Sequence, residues 1–221
     1  THDIIYLVKK EHGKFFIHIL VTYEIDELSM SEVSNMVGID RGKTVFYDGS
    51  FVKQKRGHYK NLRRQLQQVH TASSRKRLKA IGQRENRWMQ DVNHCISKAL
   101  TENNPEGTLF VLEDLAGIRS ATERIRVKDR YVSVSWPYYD LEQKLSYKAL
   151  KHHQLTVKVN PAYTSQTCPK CGHTEKANRD KRNHVFCCKA CGYKSNDDRI
   201  GAMNLYRMGI NLSVPDTVAV E

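Results

Sequence analysis

Short runs of β-branched and aromatic residues punctuate this chain and predict strands. The runs lie at residues 4–8, 15–21, 35–39, 44–47, 51–52, 108–112 and 155–159. His12-Gly13 and Asp48-Gly49 are turn signals, so the strands beside each of them are expected to form hairpins. Because an isolated hairpin is marginal in water, the one at 4–26 should belong to a larger sheet. The nearly continuous apolar run at 108–112 favours a buried central strand.

Apolar residues at helical spacing fill most of the intervals between these runs. One helical pattern runs from about His58 to Glu102 and divides near Ser73-Ser74 into two helices. Further helices are predicted from Trp136 to His153 and from Asp197 to Gly209, and the tail after Leu212 is expected to be loose. Strands that alternate with helices in this way indicate an α/β fold.

Positive charge is concentrated in the two helices of the first pattern. The 221 residues carry a net charge of +12, and the pI is near 9.4. Between Phe51 and Gln90, twelve lysines or arginines stand against one acid, Glu85. A solvated helix face usually mixes both signs, so this segment is predicted to bind nucleic-acid phosphates. The candidate contacts are Lys60, Arg63, Arg64, Arg75, Lys76 and Arg77.

Neither a membrane span nor a secretory signal is indicated. No run of about 18 apolar residues occurs, and the start at Thr1 lacks a basic-then-apolar pattern. It also lacks a methionine, which indicates a fragment or a processed piece. Four of the six cysteines form C-x2-C pairs rather than a disulfide framework, which favours a reducing cytoplasm. Cys95, in a helical segment with apolar neighbours, is predicted to be a small core residue.

The cysteine pairs predict a structural zinc site. Cys168 and Cys171 form one pair, Cys188 and Cys191 form the other, and sixteen residues separate them. Each pair can fold as a tight knuckle, so that four thiolates converge on one tetrahedral ion and leave no open position for water. Cys187 abuts Cys188 and competes for its place, although the spacing favours Cys188.

Three acidic residues stand at the ends of predicted elements. Asp40 and Glu113 each follow a strand, and Asp198 opens the last helix. Functional side chains collect at such strand ends, and carboxylates that meet there require divalent cations such as Mg²⁺ or Mn²⁺. Two such ions about 4 Å apart can promote phosphodiester hydrolysis. Asp114 is an alternative to Glu113 and Asp197 to Asp198, and either of the aspartates 197 and 198 could simply cap the helix.

Several segments, taken together, resemble the transposon-encoded TnpB proteins, relatives of the type V CRISPR (Cas12) nucleases. The segments are Val37-Gly38-Ile39-Asp40-Arg41-Gly42, Val111-Leu112-Glu113-Asp114-Leu115, Tyr163-Thr164-Ser165-Gln166-Thr167-Cys168-Pro169-Lys170-Cys171-Gly172, Phe186-Cys187-Cys188-Lys189-Ala190-Cys191-Gly192-Tyr193 and Asn196-Asp197-Asp198-Arg199. Their order is that of the family's split RuvC motifs, with a zinc ribbon between the second and the third. The family's third motif has its aspartate two residues after an asparagine, here Asn196. The resemblance therefore assigns the catalytic acids to Asp40, Glu113 and Asp198.

The fold implied by this resemblance is α/β: an RNase H-like (RuvC) mixed sheet with flanking helices and an inserted four-cysteine zinc ribbon. The implied parts are a β-hairpin left from a wedge domain (1–30), the nuclease core (31–161) with a basic helical insertion (53–104), the ribbon (162–194), the final helix (195–212) and a tail (213–221). The pattern departs from the family at Asp197, commonly a small residue, and at Ile200, often an asparagine. Neither change removes a metal ligand.

The function implied by the resemblance is metal-dependent cleavage of a DNA target that a guide RNA selects. It calls for two Mg²⁺ (or Mn²⁺) ions, one structural zinc ion, and one monomer per guide RNA, in a prokaryotic cytoplasm with no membrane contact. The basic stretch 53–88 would line the nucleic-acid channel and contact backbone rather than bases. The family's recognition and wedge domains lie N-terminal to the nuclease, so this chain should keep the cleavage chemistry and lack most of the addressing parts.

Three other functions fit part of the pattern. A nuclease-inactive relative would bind guide and DNA as a repressor, but such proteins typically lose one of the three acids, which are present here. A zinc-ribbon nucleic-acid-binding protein would explain the charge and the cysteines but not the acids at the strand ends. A transposase would also use an acidic triad, although strand transfer is not known for the family.

Overall fold

The structure, a computed structural model, describes residues 4–11, 14–21, 24–39, 49–115 and 138–213. Asp40, the predicted strand at 44–47 and most of the predicted tail lie outside the described residues. Within the described ranges, every helix is too short or too polar to cross a membrane.

An antiparallel hairpin comes first in the chain. Strand β1 (Ile4–Glu11) pairs with β2 (Lys14–Val21), and Val8 lies opposite Ile17. The hairpin predicted here is confirmed. Val8, Phe15 and Ile17 are exposed and lie on one face of it. Among the described residues this sheet has two strands, so the larger sheet expected around it is not found there.

A parallel sheet of three strands forms the centre of the fold. Its strands are β3 (Asn35–Ile39), β4 (Thr108–Glu113) and β5 (Leu155–Val159), with β4 in the middle. All three were predicted from their apolar runs and are confirmed. Residues 109–112 are at most 1% exposed, as predicted for a buried central strand.

The described helices are α1 (Gly49–Val69), α2 (Ala72–Glu102), α3 (Tyr138–Lys151) and α4 (Asp197–Ser213). The helical backbone is interrupted between α1 and α2 at His70, where φ is 54°. Thr71 then caps α2, because its side-chain oxygen accepts a hydrogen bond from the N–H of Ser74 at 3.1 Å. This break lies slightly before the one predicted at Ser73-Ser74.

Each face of the sheet packs against different helices. Phe110 and Leu112 of β4 pack with apolar residues of α2 and α3. Leu109 and Val111 pack on the other side with Leu205 of α4. Because successive strand side chains point to opposite faces, one apolar run supplies both cores. The result is a three-layer arrangement of the predicted α/β class.

The hairpin predicted at 44–52 is wrong in its second half. Residues 49–52 form the first turn of α1 instead. Val52, Arg56 and Tyr59 are buried at spacings of four and three, so the helical stripe begins earlier than expected. Packing of this stripe outweighs the strand propensity of the segment. The central sheet is parallel in its described strands, whereas the resemblance implies a mixed one.

A small antiparallel sheet lies between β5 and α4 in the chain. Its strands are β6 (Arg179–Asp180), β7 (Val185–Cys187) and β8 (Lys194–Asn196), with β7 in the middle. Phe186 is fully buried and packs with Cys168, Cys188 and Ile200. Since Ile200 belongs to α4, this helix completes the core of the small sheet as well as that of the large one.

Candidate functional site

Two loops of matching geometry present the paired cysteines. In the first, the N–H of Cys168 donates to the carbonyl of His173, and the N–H of Gly172 donates to the carbonyl of Cys168, both at 2.9 Å. Cys188 and Gly192 repeat this pattern in the second loop, at 2.9 and 3.0 Å. The two glycines have φ of 76° and 71°, a region that favours glycine. Each pair therefore lies on a tight knuckle, as the spacing predicts.

The four sulfur atoms lie at distances that suit one metal ion. Sγ of Cys168 is 3.6 Å from Sγ of Cys191, and Cys171 and Cys188 are separated by the same distance. All four lie within 4.8 Å of one another. A disulfide requires about 2 Å, whereas a tetrahedral zinc site with Zn–S bonds of about 2.3 Å places its sulfurs about 3.8 Å apart. The thiols fit a zinc ion, and the cluster contains Cys188 rather than Cys187.

Backbone N–H groups of the knuckles point at two of the sulfurs. The N–H of Lys170 donates to Cys168 at 3.4 Å, and the N–H of Cys191 donates to Cys188 at 3.5 Å. Burial raises the pKa of the Cys188 thiol, but hydrogen bonds from the Cys191 and Ala190 backbone and from neighbouring thiols lower the pKa to about 6. Because metals bind the thiolate, the backbone N–H groups favour the ligand form of Cys188. For its neighbour Cys171, the backbone of His173 lowers the pKa, but burial and hydrogen bonds with the other three thiols raise it to about 12.

One buried amide joins the two knuckles. Asn178 is 1% exposed, and its Nδ2 donates to the carbonyls of Gln166 and His173 at 3.0 and 3.3 Å. Its Oδ1 accepts from the N–H of Lys189, in the second knuckle, at 2.9 Å. The cysteine cluster therefore has a built support around it, which the cysteine spacing did not indicate.

The carboxyl ends of β3 and β4 lie side by side. Ile39, the last residue of β3, pairs with Leu112 of β4. Glu113, the next residue, is half-buried at the end of β4. Asp40, which follows Ile39 in the sequence, lies outside the described residues. The N–H of Asp114 donates to the carbonyl of Val159 in β5 at 2.7 Å. Glu113 thus lies at the sheet edge predicted for it.

Close contacts at two glycines show the direction in which α4 crosses the sheet. A Cβ on Gly38 would lie 2.2 Å from the carbonyl oxygen of Ala202, and a Cβ on Gly209 would lie 3.2 Å from Sδ of Met36. Helix α4 therefore runs antiparallel to β3. Asp198, one turn before Ala202, lies on the side where β3 and β4 end.

The start of α4 is capped by Asn196, not by an aspartate. Its Oδ1 accepts hydrogen bonds from the N–H groups of Asp198 and Arg199, at 2.9 and 3.4 Å. Asp197 is fully buried, whereas Asp198 is half-buried. The two adjacent acids therefore occupy different environments.

Ribbon side chains hold the carboxylate of Asp197. Nε of Arg179 donates to its Oδ2 at 2.7 Å, and Nδ1 of His184 lies 3.3 Å from its Oδ1. Nη1 of Arg179 also donates to Oγ of Ser165 at 2.9 Å. Asp198 is close as well, since ligand atoms of His184, Asp197 and Asp198 lie within 4.8 Å of one another. Sequence reasoning missed this cluster, because its partners come from separate segments.

The predicted phosphate contacts lie on the surface of α1 and α2, with one exception. Exposed among them are Lys60, Arg64, Arg75, Lys76 and Arg77. Arg63 is half-buried and donates to Glu85 of α2 at 2.6 Å, where the Glu85 side chain is 6% exposed. The one acid of this basic segment therefore joins the two helices.

The prediction that Cys95 is a core residue is wrong, because it is exposed on α2. The buried stripe of this part of α2 is formed by Val92, Ile96 and Leu100, four residues apart. Cys95 falls beside that stripe, so the apolar residues next to it in the sequence are buried while its own side chain is exposed.

Comparison with known proteins shows what this arrangement is similar to. Residues 138–205 match the family model of the Cas12f1-like TNB domain. The CRISPR-associated endodeoxyribonuclease Cas12f1 of Syntrophomonas palmitatica is 31% identical over 219 residues, 85% of this chain and 42% of that protein. A TnpB-like protein of Methanocaldococcus jannaschii is 29% identical over 154 residues, 67% of this chain and 33% of that protein. Over most of its length, the chain is similar to the TnpB-like and Cas12f proteins.

The chain spans about half the length of the curated relatives that it matches. Its fold is similar to that of the protein in the Cas12f1–sgRNA–target DNA complex, with a TM-score of 0.59 at 20% identity, over 90% of this chain and 55% of that one. The matched TNB span runs from α3 into α4 and so contains the four clustered cysteines, Arg179 and Asp198.

Proposed function

We propose that this chain is the metal-dependent DNA endonuclease part of an RNA-guided nuclease, with an RNase H-like (RuvC) fold. One observation carries the proposal. Residues of β3 and β4 that face α4 include Gly38 and Val111, and the acids Asp40 and Glu113 each stand two positions further along. Asp198 lies in the first turn of α4, on the side of the sheet where β3 and β4 end. The proposal is that these three acids, which come from distant parts of the chain, meet on one face.

The acids assigned to two Mg²⁺ (or Mn²⁺) ions are Asp40, Glu113 and Asp198. Asp198 is favoured over Asp197, because both carboxylate oxygens of Asp197 are engaged by ribbon side chains and it is fully buried. Glu113 is favoured over Asp114, because strand alternation directs Glu113 to the face that α4 covers. Two divalent cations in such a site supply an activated water and stabilise the leaving oxygen of a phosphodiester.

The four clustered cysteines are assigned to one structural zinc ion. Cys168, Cys171, Cys188 and Cys191 supply four thiolates, and such a closed site has no position for a substrate. Its role in the enzyme is to hold the ribbon against α4, since Phe186 and Ile200 share the core that the buried sulfurs line.

Nucleic acid is assigned to the basic surface of α1 and α2. The exposed cations there fit the sugar–phosphate backbone of a DNA target and of the guide RNA. One protein chain is assigned to each guide RNA. Support comes from the fold shared with the protein of the Cas12f1–sgRNA–target DNA complex. Arg63 is assigned two roles, a phosphate contact and the helix–helix contact with Glu85.

The decisive test is programmed cleavage by the protein that carries this chain, purified together with its RNA. With Mg²⁺ the unmodified protein should cut a matched DNA, and Asp40→Ala, Glu113→Ala and Asp198→Ala should each reduce cutting to background. Asp114→Ala is the matched control and should keep most of the activity. DNA binding is measured alongside by electrophoretic mobility shift.

Two results would contradict the proposal in different ways. Full activity of all three alanine variants would remove the catalytic assignment. RNA-dependent DNA binding without cutting by the unmodified protein would favour the nuclease-inactive repressor instead.

A further inference from the structure

We infer that Asp197, held by Arg179 and His184, is a positioning residue that couples the ribbon to the metal-binding acid Asp198. This inference rests on the proposed role of Asp198 and deepens it. The three residues Arg179, His184 and Asp197 are called the Asp197 brace below.

Burial makes the Arg179–Asp197 part of the brace a defined contact rather than a surface ion pair, whereas the His184 side chain is 64% exposed. The side chain of Asp197 is fully buried, and that of Arg179 is 24% exposed. A carboxylate without access to water requires charged or hydrogen-bonding partners close by, and here both of its oxygens have one. The carboxylate therefore has one favourable position, which the ribbon determines.

The position of Arg179 depends on the folded ribbon. Arg179 pairs with Phe186 between β6 and β7, and Phe186 packs against Cys168 and Cys188. The guanidinium of Arg179 also donates to Ser165, which precedes the first knuckle. The cysteine cluster thus sets where the guanidinium lies, and the guanidinium sets where Asp197 lies.

Asp197 transmits this constraint through the first turn of α4. Strand β8 ends at Asn196 and α4 begins at the next residue, so Asp197 lies at the junction of the ribbon and the helix. Asn196 accepts from the N–H of Asp198, while the Asp197 brace holds the preceding side chain. A first helical turn lacks internal partners for its N–H groups and frays unless it is held. Both contacts act on the backbone that carries the Asp198 carboxylate.

The brace is not itself a cation site. Ligand atoms of His184, Asp197 and Asp198 are mutually close, as a metal site requires. However, the guanidinium of Arg179 lies 2.7 Å from the Asp197 carboxylate and supplies the positive charge there. A divalent cation on the same carboxylate would be repelled, so the geometry points to support of Asp198 and not to a separate metal centre.

The experiment measures Mn²⁺ binding to the whole 221-residue chain by electron paramagnetic resonance, together with zinc content and thermal midpoint. Asp197→Asn and Arg179→Met should weaken Mn²⁺ binding about tenfold or more, the size of effect seen when a supporting partner of a metal ligand is removed. Zinc should stay at one per chain. Arg179→Lys should recover part of the affinity, because the charge is kept. Arg182→Met, which removes the same charge from an exposed ribbon position, should bind Mn²⁺ like the unmodified chain.

The outcomes separate the inference from the proposed function. Unchanged Mn²⁺ binding by Asp198→Ala would overturn the metal assignment, and the inference with it. Loss of binding in Asp198→Ala, with unchanged binding in folded Asp197→Asn and Arg179→Met, would overturn the inference alone. All titrations are run at a temperature below the lowest thermal midpoint of the variants. If Asp197→Asn does not fold, the Mn²⁺ affinities of the Arg179 variants test the inference: Arg179→Lys must bind Mn²⁺ more tightly than Arg179→Met.

Discussion

Gly38 is the residue on which the approach of α4 to the sheet depends most directly. The atoms nearest to its missing Cβ are the carbonyl oxygen of Ala202 and the backbone nitrogen of Tyr206, at 2.2 and 2.6 Å. Backbone atoms cannot rotate away as the end of a side chain can. An isolated glycine within a strand often marks such a close approach, so this position carried a signal in the sequence.

We expect Gly38→Ala to destabilise the chain by about 1–3 kcal/mol, the usual cost of overpacking a core. The free energy of unfolding is measured by urea denaturation. Gly57→Ala is the control, since a Cβ there meets no atom within 4 Å. That change lies inside α1 and should stabilise by about 0.5–1 kcal/mol. Equal stability of Gly38→Ala and the unmodified chain would mean that α4 does not pack on β3 in this way.

At the scale of elements, α4 is the helix that belongs to two cores. Ile200 lies in the ribbon core and Leu205 in the sheet core, both fully buried. Between them Asn204 is 6% exposed, and its Nδ2 donates to the carbonyls of Thr164 and Thr167 at 2.6 and 2.8 Å. The segment leading into the first knuckle is thereby tied to the middle of α4.

Asn204→Ala should destabilise the chain by about 1–3 kcal/mol, because it leaves two carbonyls without their donor. Asn211→Ala on the exposed side of the same helix should change stability by less than about 0.7 kcal/mol, in the favourable direction, since alanine is the better helix former. Thermal and urea unfolding report both effects. The same stability for the two variants would show that the contact does not hold the ribbon to α4.

At the scale of the whole molecule, a small cysteine-rich unit and a three-layer core depend on one shared helix. The ribbon has few buried side chains of its own, so its fold needs a metal ion or its neighbour. Removal of the metal ion proposed for the cysteines should therefore destabilise the sheet core as well as the ribbon.

Elemental analysis should find one zinc per chain, and chelation should lower the thermal midpoint, because metal binding and folding are coupled. Cys171→Ser and Cys188→Ser should lose zinc. Cys95→Ser and Cys187→Ser are the controls and should retain it, since neither belongs to the sulfur cluster. Retention of zinc by Cys188→Ser together with its loss in Cys187→Ser would reverse the ligand assignment.

The basic surface of α1 and α2 should determine the salt dependence of DNA binding. Glutamine in place of Arg64, Arg75 and Lys76 should weaken binding of duplex DNA. The slope of log K against log salt should become shallower by about 0.9 for each phosphate that the variant no longer neutralises. Arg63→Gln should also lower stability, because it breaks the ion pair with Glu85. An unchanged slope in the triple variant would place the nucleic acid on another surface.

The sequence by itself was enough for features that depend on neighbours along the chain. Apolar and β-branched runs and helical stripes predicted β3, β4, β5 and the helices, and C-x2-C spacing predicted the four thiols that come together. It also placed Glu113 at a strand end. These predictions succeed because strand alternation, helical periodicity and knuckle turns are local properties.

Only the tertiary structure decided what depends on contacts between distant segments. It extended α1 into the stretch expected as a strand, placed Cys95 on the surface, paired Arg63 with Glu85 and buried Asp197 between ribbon side chains. The physical reason is that burial and ion pairing are set by what packs against a residue. The partners of Glu85 and Asp197 lie from 13 to 22 positions away in the chain, where no local period connects them.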